Sequence, residues 1–103
     1  MYRGTTPTHT FEADIDLSDA DVMYITYSQG NKTRVEKSLD DEDGSVSITD
    51  NVVTVTLTQK DTLAFRENCE VRIQLRVGFA DGSRIASNII RTTADEILKE
   101  GEI

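Results

Sequence analysis

Tryptophan is missing from this sequence of 103 residues, and cysteine, histidine and proline occur once each. The single cysteine, Cys69, excludes an internal disulfide. No apolar run approaches the ~20 residues that a membrane-spanning helix needs. The first residues, Met1 to Pro7, also lack the apolar core of a signal peptide. We therefore expect the protein to fold in a reducing cytoplasm.

Basic residues are scarce as well: 11 lysines and arginines stand against 19 acidic residues, which gives a formal net charge of −8. That charge repels nucleic acids, unless the basic residues cluster tightly, and it repels anionic membranes. The composition therefore predicts neither a nucleic-acid nor a membrane partner. Because only 6% of the residues are aromatic, the core must consist mainly of valine, isoleucine and leucine.

What the sequence does contain is regular alternation of apolar and polar residues. The clearest case is the segment after Cys69, where apolar and polar side chains alternate from Glu70 to Phe79. This pattern predicts a half-buried strand. The dipeptide Asp81-Gly82 follows, and the apolar pattern resumes from Ile85 to Ile90, so residues 70–91 are predicted to form a long β-hairpin.

Five further segments have strand-like patterns, and acidic loops separate them. They are residues 9–17, 22–28, 33–39, 45–49 and 53–57. About seven strands at such spacing predict one domain over residues 1–103, an all-β, Ig-like antiparallel β-sandwich, with a small barrel as the alternative. The expected core residues are Phe11, Ile25, Val35, Leu57, Leu63, Phe65, Ile73, Leu75 and Val77.

One or two short helical turns are expected to interrupt the strands. Thr58 and Asp61 have the residue types of a helix cap and first turn, and the chain then runs into Phe65. The segment Thr93–Glu96 has the spacing of a capping box. The same C-terminal segment is equally compatible with an edge strand.

Catalytic or metal-binding groups are hard to assemble from this sequence. His9, the only histidine, shares the apolar register of its strand, which indicates a structural role. Cys69 adjoins Glu70, whose charge disfavours a thiolate, so we expect a small buried cysteine. The acidic run Asp40–Asp43 lacks the first and last ligands of a calcium loop. We therefore expect no enzymatic activity, no metal, no cofactor and no small-molecule substrate.

Two sets of residues are candidates for a protein interface. Arg72, Arg76 and Arg91 are expected to form a small basic stripe, and Gln74 shares the polar face of the strand with Arg72 and Arg76. Thr54 and Thr56 are expected nearby; the alternative is an ordinary solvated sheet face. The second set lies in the C-terminal segment, where apolar residues occur on an otherwise polar tail that we expect to act as a docking arm. These tail residues are Ile97, Leu98 and Ile103.

Three segments resemble small phage or prophage structural proteins of Gram-positive gut bacteria. The layout is also similar to the N-terminal sandwich domain of siphophage upper baseplate proteins. The segments are Arg3-Gly4-Thr5-Thr6-Pro7 running into Phe11, Leu57-Thr58-Gln59-Lys60-Asp61-Thr62-Leu63 running into Phe65, and Gln74-Leu75-Arg76-Val77 to Asp81-Gly82-Ser83 with Ala86-Ser87-Asn88-Ile89-Ile90. The resemblance implies an assembly role and carries over no catalytic residue.

Two functions are therefore expected from the sequence. The first is a virion structural or assembly module of a phage tail or baseplate, which binds other phage structural proteins or itself. Such a protein would reside in the host cytoplasm during assembly and then in the virion. The alternative is a small acidic protein that regulates or inhibits a host enzyme by binding a basic site, a class that includes mimics of nucleic acid.

Overall fold

The alternating segments form eight strands and one short helix in a computed structural model that describes all 103 residues. The only helix has five residues, so no helix has the length or apolar character to cross a membrane. The elements in chain order are β1 (Thr8–Glu12), β2 (Ala20–Gln29), β3 (Lys32–Ser38), β4 (Val46–Thr49), β5 (Val52–Thr56), α1 (Gln59–Leu63), β6 (Cys69–Phe79), β7 (Arg84–Ala86) and β8 (Ile90–Ala94).

The strands form two antiparallel sheets that pack face to face. One sheet has the order β1-β5-β4; the other has the order β3-β2-β6, and both β7 and β8 pair with the far edge of β6. In an immunoglobulin sandwich, strands B, E and D share one sheet, and strands C′, C, F and G share the other. Here β1, β5 and β4 take the first set of places, while β3, β2, β6 and the pair β7 and β8 take the second. The predicted Ig-like antiparallel sandwich is therefore confirmed.

The long hairpin is present, but its return strand is split in two and ends at Ala94 instead of residue 91. The split has a local cause at Ser87, whose side-chain oxygen accepts the Leu75 backbone N–H at 3.0 Å. The Gln74 side chain donates to the Ser87 carbonyl, also at 3.0 Å. These side-chain bonds interrupt the regular backbone ladder, and regular pairing resumes at Ile90.

The first strand is shorter than the alternation predicts, because it ends at Glu12 and not at residue 17. Its partner β5 begins at Val52, which lies opposite Glu12, so no strand is available to pair with the following residues. Ile15 is consequently 48% exposed, although Leu17 is buried again.

The core contains 15 buried apolar residues between the sheets, and it includes seven of the nine that were predicted. The prediction is wrong for Phe11 and Leu63, which are only half-buried. Phe11 lies on β1, an edge strand with no neighbour on one side, so it packs against the rim of the core. In α1 the inward position is taken by Thr62, which is fully buried and donates to the Thr5 carbonyl at 2.8 Å.

The predicted cap of the helix is present in full. Thr58 accepts the Asp61 N–H at 3.1 Å, and the Asp61 carboxylate accepts the Thr58 N–H at 2.8 Å, so the two residues form a reciprocal capping box. At the other candidate, Thr93–Glu96, the chain is extended: β8 continues to Ala94, and Tyr2 forms a parallel bridge with Asp95. The edge-strand alternative is therefore the correct one there.

Candidate protein-binding surfaces

The predicted residues Arg72, Gln74 and Arg76 all lie on the outer side of the five-stranded sheet. They alternate along β6 with Ile73 and Leu75, which are buried against the opposite sheet. Their common face follows from the strand period of two residues. Gln74 is half-buried, and its side-chain amide donates a hydrogen bond to the Ser87 carbonyl, so this side chain stabilises the split in the return strand.

Neighbouring strands bring the predicted Arg91 to this side and add one further arginine and a tyrosine. Residues directly opposite each other in a pair of strands share a face. Arg91 lies opposite Arg72, and Tyr24 lies opposite Arg76, while Arg84 lies opposite Gly78. Four of the seven arginines in the chain thus share one surface with Tyr24. We call the set Arg72, Arg76, Arg84, Arg91 and Tyr24 the arginine face.

Two carboxylates accompany the arginine face without neutralising it. Glu70 lies on the same side of β6 and approaches Arg91 at 3.5 Å, between its Oε1 and the arginine Nε. Both side chains are more than half exposed, so this ion pair contributes little to stability. Glu36, opposite Thr26, is the second carboxylate. The face is therefore basic on a protein whose net charge is −8.

A shallow cleft of about 270 Å³ lies within the arginine face, between Tyr24, Arg76 and Arg84. Gly78 forms its floor, because a Cβ at this position would lie 2.5 Å from Val22 Cγ1 and 2.8 Å from Arg84 Cζ. The missing side chain lets the Arg84 guanidinium lie across the strand, where it donates to the Phe79 and Ser83 carbonyls at 3.2 and 2.9 Å. Paired guanidinium groups beside an aromatic ring suit carboxylate and planar groups of a partner.

Thr54 and Thr56 do not lie near the arginine face, as the sequence had led us to expect. They belong to β5, which is in the three-stranded sheet. Thr56 pairs with Thr8, and their side-chain oxygens lie 3.2 Å apart. The outer side of β5 is therefore on the opposite side of the sandwich from Arg72 and Arg76.

The C-terminal residues Ile97, Leu98 and Ile103 form a separate surface beside the N-terminal segment. Ile97 is half-buried against Gly4. A Cβ on residue 4 would lie only 2.8 Å from Ile97 Cδ1, so the glycine leaves room for this side chain. Leu98 and Ile103 are 99% and 91% exposed. The structure does not bring these residues together with Arg72, Gln74 and Arg76.

The tail is also fastened to the rest of the chain, in contrast to the free docking arm that the sequence suggested. Arg3 Nη1 binds both oxygens of Glu100, at 2.8 and 3.1 Å. The Gln59 side chain exchanges two hydrogen bonds with the backbone of Ile103, at 2.9 and 3.1 Å. Ala94 is fully buried. The stretch through Asp95 is therefore part of the folded domain, and only the exposed side chains beyond it are free to bind a partner.

A polar network that was not predicted from the sequence lies inside one end of the sandwich. Lys37 points inward from β3, and its Nζ lies 2.9 Å from Asp61 Oδ2 and 3.8 Å from Asp43 Oδ2. Burial alone would raise the pKa of Asp61, but hydrogen bonds from the Thr58 backbone and from Lys37 outweigh it and hold that pKa below its usual value. Lys37 shares the register of Val35, and this parity is the signal that predicts an inward side chain.

His9 has the structural role that its register predicts. Its Nδ1 lies 2.7 Å from the hydroxyl of Tyr27, which is fully buried in the core. Partial burial, with a smaller effect from the N-terminal ammonium, lowers the pKa of His9. Burial also raises the pKa of Tyr27, and the negative charge of Asp61 adds to that rise. Both groups are therefore neutral at physiological pH and share a hydrogen bond between the sheets.

The acidic loop and the cysteine complete the set of predicted sites. Asp41 accepts the Ser38 N–H at 2.9 Å and Asp43 accepts the Ser45 N–H at 3.0 Å, so both carboxylates stabilise turns of the backbone. No group of three or more histidine, cysteine or acidic side chains is placed to hold a metal ion. Cys69 opens β6 and is half-buried, which is less than the full burial expected of it.

A cavity of about 580 Å³ lies between β1 and β7, at one side of the sandwich. Ten of its fifteen lining residues are hydrophobic, and they come from both sheets. We call this gap the open seam. Sequence reasoning did not identify it, because the pattern of a strand does not reveal which of its edges lacks a neighbour.

Comparisons with known proteins add little to this geometry. No protein-family model matches the chain, and no curated protein matches it. Among solved structures, the V domain of amphioxus IgVJ-C2 aligns with 94% of this chain and 97% of that chain. The identity is 18% and the TM-score 0.37, a similarity too loose to support any inference about function.

Proposed function

We propose that this protein is a non-enzymatic binding module of a phage or prophage virion, associated with the tail or baseplate. The observation that carries the proposal is the arginine face, a basic surface on an acidic protein. Its partner would be another virion structural protein or a second copy of the chain. Assembly would take place in the host cytoplasm, and the protein would then remain in the virion.

The chemistry of the arginine face is that of a protein interface. Arginine and tyrosine are enriched at interfaces and among the residues whose loss most weakens binding. Tyr24 is 44% exposed and stands beside Arg76, so it offers a rigid aromatic contact next to a bidentate donor. Outward arginines on adjacent strands also hold their guanidinium groups on a rigid sheet, which limits the entropy lost on binding.

The phage assignment rests on the resemblance of three segments, and the structure gives those segments stabilising roles. The first contains Arg3, whose side chain donates to the Phe65 carbonyl at 2.7 Å and to the Leu63 carbonyl at 3.2 Å. The second contains the capping box of α1, and the third forms the split hairpin that carries the arginine face. A module stabilised in this way suits an assembly role that needs a rigid surface and no chemistry.

The alternative of an acidic inhibitor makes the opposite prediction about which charges bind. Such a protein would contact a basic site through carboxylates, and the strongest acidic run is Asp40–Asp43. Its binding would therefore be insensitive to changes on the arginine face. A tail module that binds through the arginine face would instead tolerate neutralisation of this loop.

The experiment is incorporation of tagged protein into tail particles from an induced lysogen, followed by particle purification and negative-stain microscopy. We expect the double variant Arg72→Glu/Arg76→Glu to be excluded from particles. The matched control is Arg66→Glu, an exposed arginine outside the arginine face. If the double variant assembles normally while neutralised Asp40 and Asp41 abolish partner binding, the acidic-inhibitor alternative replaces the proposal.

A further inference from the structure

The open seam lies where a complete sandwich of this topology would hold one more strand. On the β8 side the edge is covered, because Met1–Arg3 run parallel to it: Asp95 N–H donates to the Met1 carbonyl at 2.7 Å, and Arg3 N–H to the Asp95 carbonyl at 3.1 Å. The chain then crosses to the other sheet and enters β1. Nothing continues along β7, so this half of the seam has no covering strand.

Both walls of the open seam present unpaired backbone groups. On β1, the backbone groups of Pro7 and Ala13 form hydrogen bonds on the β5 side. Because hydrogen-bonding direction alternates along an antiparallel strand, the odd-numbered residues between them also face β5. The backbone groups of Thr8, Thr10 and Glu12 are therefore directed to the open side. On β7, the Ser83 and Ser87 backbones bond to β6. The alternation leaves Arg84 and Ala86 with backbone groups directed outward. Unpaired strand edges are templates for an added strand.

The floor and rim of the seam are apolar. Leu17, Leu75 and Val77 line it from the core and are 2%, 6% and 5% exposed. Around them stand isoleucines at 48%, 40% and 40% exposure, which are Ile15, Ile85 and Ile90. A patch of exposed branched side chains over a core surface marks an interaction site.

The edges of the sandwich differ in how strongly they oppose strand addition. The edge strand β3 has the inward charge of Lys37, and an inward charge discourages pairing with another chain. The edge strands β4 and β7 are short, with four and three residues. The five-residue strand β1, which forms one wall of the seam, is therefore the longest uncovered edge without an inward charge.

We propose that the open seam binds an extended segment of a partner protein as an additional β-strand, with apolar side chains alternating with basic ones. This proposal rests on the proposed binding function and names a second contact site for it. The backbone edges would supply hydrogen bonds, and the apolar floor would accept alternate side chains, which is the pattern of β-strand addition.

The charge around the seam selects the partner. Glu12 and Asp14 line it, and the turns at the same end of the sandwich carry Asp16, Asp50 and Asp81. Lysine or arginine at the outward positions of the added strand would complement these carboxylates. A second copy is a poorer occupant, because the exposed apolar tail of this chain carries Glu96, Glu100 and Glu102 against a single basic residue, Lys99.

The test uses a fluorescent, end-blocked peptide of the sequence Lys-Val-Lys-Val-Lys-Val-Lys and the full-length protein at physiological salt. We expect saturable binding by anisotropy, with slowed amide hydrogen exchange at Thr10, Glu12, Arg84 and Ala86. A peptide with glycine in place of valine, and one with proline in place of the central valine, should each bind at least about tenfold more weakly. The first lacks apolar side chains, and the second lacks a backbone donor.

Variants separate the seam from general electrostatic attraction. Ile15→Asp and Ile85→Asp each add a negative charge, which would strengthen non-specific binding of a cationic peptide, yet we expect about tenfold weaker binding because the apolar wall is lost. Leu98→Asp makes the same charge change at a side chain that is 99% exposed and outside the seam, and it should bind as the wild type does. Thermal melts check that each variant is folded.

Several results would overturn the proposal. These are equal binding of the glycine and valine peptides, protection at Leu98 and Ile103 instead of the seam, or loss of binding in Leu98→Asp. If light scattering shows that the wild-type chain self-associates and that the Ile85→Asp variant does not, the occupant is a second copy and the basic partner is wrong. The proposed function is tested separately, by the exclusion of the Arg72→Glu/Arg76→Glu variant from particles, and these two substitutions leave the seam intact.

Discussion

The inward Lys37 allows a sharp test of how this sandwich is held together. Three variants are needed: Lys37→Met, Asp61→Asn and the double change. Methionine keeps the length of the apolar stem, and asparagine keeps an oxygen that can accept the Thr58 N–H of the capping box. The set therefore removes each charge while it retains most of the packing and the cap.

The expected magnitudes follow from what each change leaves behind. Asp61→Asn leaves the Lys37 ammonium, whose side chain is 10% exposed, with only Asp43 at 3.8 Å; we expect it to cost about 2–4 kcal/mol, near the range for breaking a buried pair. Lys37→Met leaves Asp61 with its backbone hydrogen bond, and should cost about 1–2 kcal/mol. The double variant should lie within about 1 kcal/mol of wild type, because uncharged groups replace the pair.

Urea unfolding followed by circular dichroism gives all four free energies of unfolding, and the double-mutant cycle gives the coupling between the two side chains. We predict a coupling of at least about 2 kcal/mol. Additive effects, with a coupling below about 0.5 kcal/mol, would contradict the account, because they would place the ammonium of Lys37 in water.

Four further predictions test other parts of the structure. Leu75→Ala should cost about 2–5 kcal/mol of unfolding free energy, since the side chain is buried, whereas the exposed Leu98→Ala should change it by less than about 0.5 kcal/mol in the same urea assay. The lowered pKa of His9 means that folding favours its neutral form, so stability should fall as the pH drops below the ordinary histidine value of 6.5, and His9→Asn should flatten that slope in melts from pH 7 to 5. Millimolar calcium should leave the melting temperature unchanged, because the carboxylates of Asp41 and Asp43 already accept backbone N–H groups of their own turns. A saturable rise of the melting temperature with calcium in calorimetry would disprove this. Deletion of residues 96–103 should leave a folded domain by circular dichroism, whereas a deletion that starts at residue 94 should destabilise it, because it removes buried Ala94 and the Asp95 contacts.

Local patterns predicted the elements whose structure depends on local forces. The alternation from Glu70 to Phe79 predicted β6, and Asp81-Gly82 predicted its turn, where Gly82 has φ +91°. Thr58 and Asp61 predicted the helix cap, which needs only residues three apart. These features follow from side-chain period and turn chemistry, so the sequence contains them directly.

Features that depend on distant partners were beyond the sequence. The pairing of Met1–Arg3 with Asp95 joins the two ends of the chain. The hydrogen bond from the Leu75 N–H to the Ser87 hydroxyl, which replaces a backbone–backbone bond, forms only because β6 lies beside Ser87. The same holds for part of the candidate site. Arg72, Arg76 and Arg91 were predicted as a basic stripe, but Arg84 and Tyr24 join them only through strand pairing. Lys37 could have been found from its parity with Val35.

Site-specific photocrosslinking in assembled particles determines directly whether the arginine face binds a virion partner. The photoreactive residue p-benzoylphenylalanine replaces Tyr24, which is 44% exposed on the arginine face, and in a matched control replaces Thr56, which is exposed on β5 of the other sheet. After irradiation of tail particles from an induced lysogen, mass spectrometry identifies what each position touches. We expect a crosslink to a tail or baseplate protein, or to a second copy, from Tyr24→p-benzoylphenylalanine and none from Thr56→p-benzoylphenylalanine. Crosslinks from the Thr56 position alone, or no incorporation of the wild-type chain into particles, would contradict it.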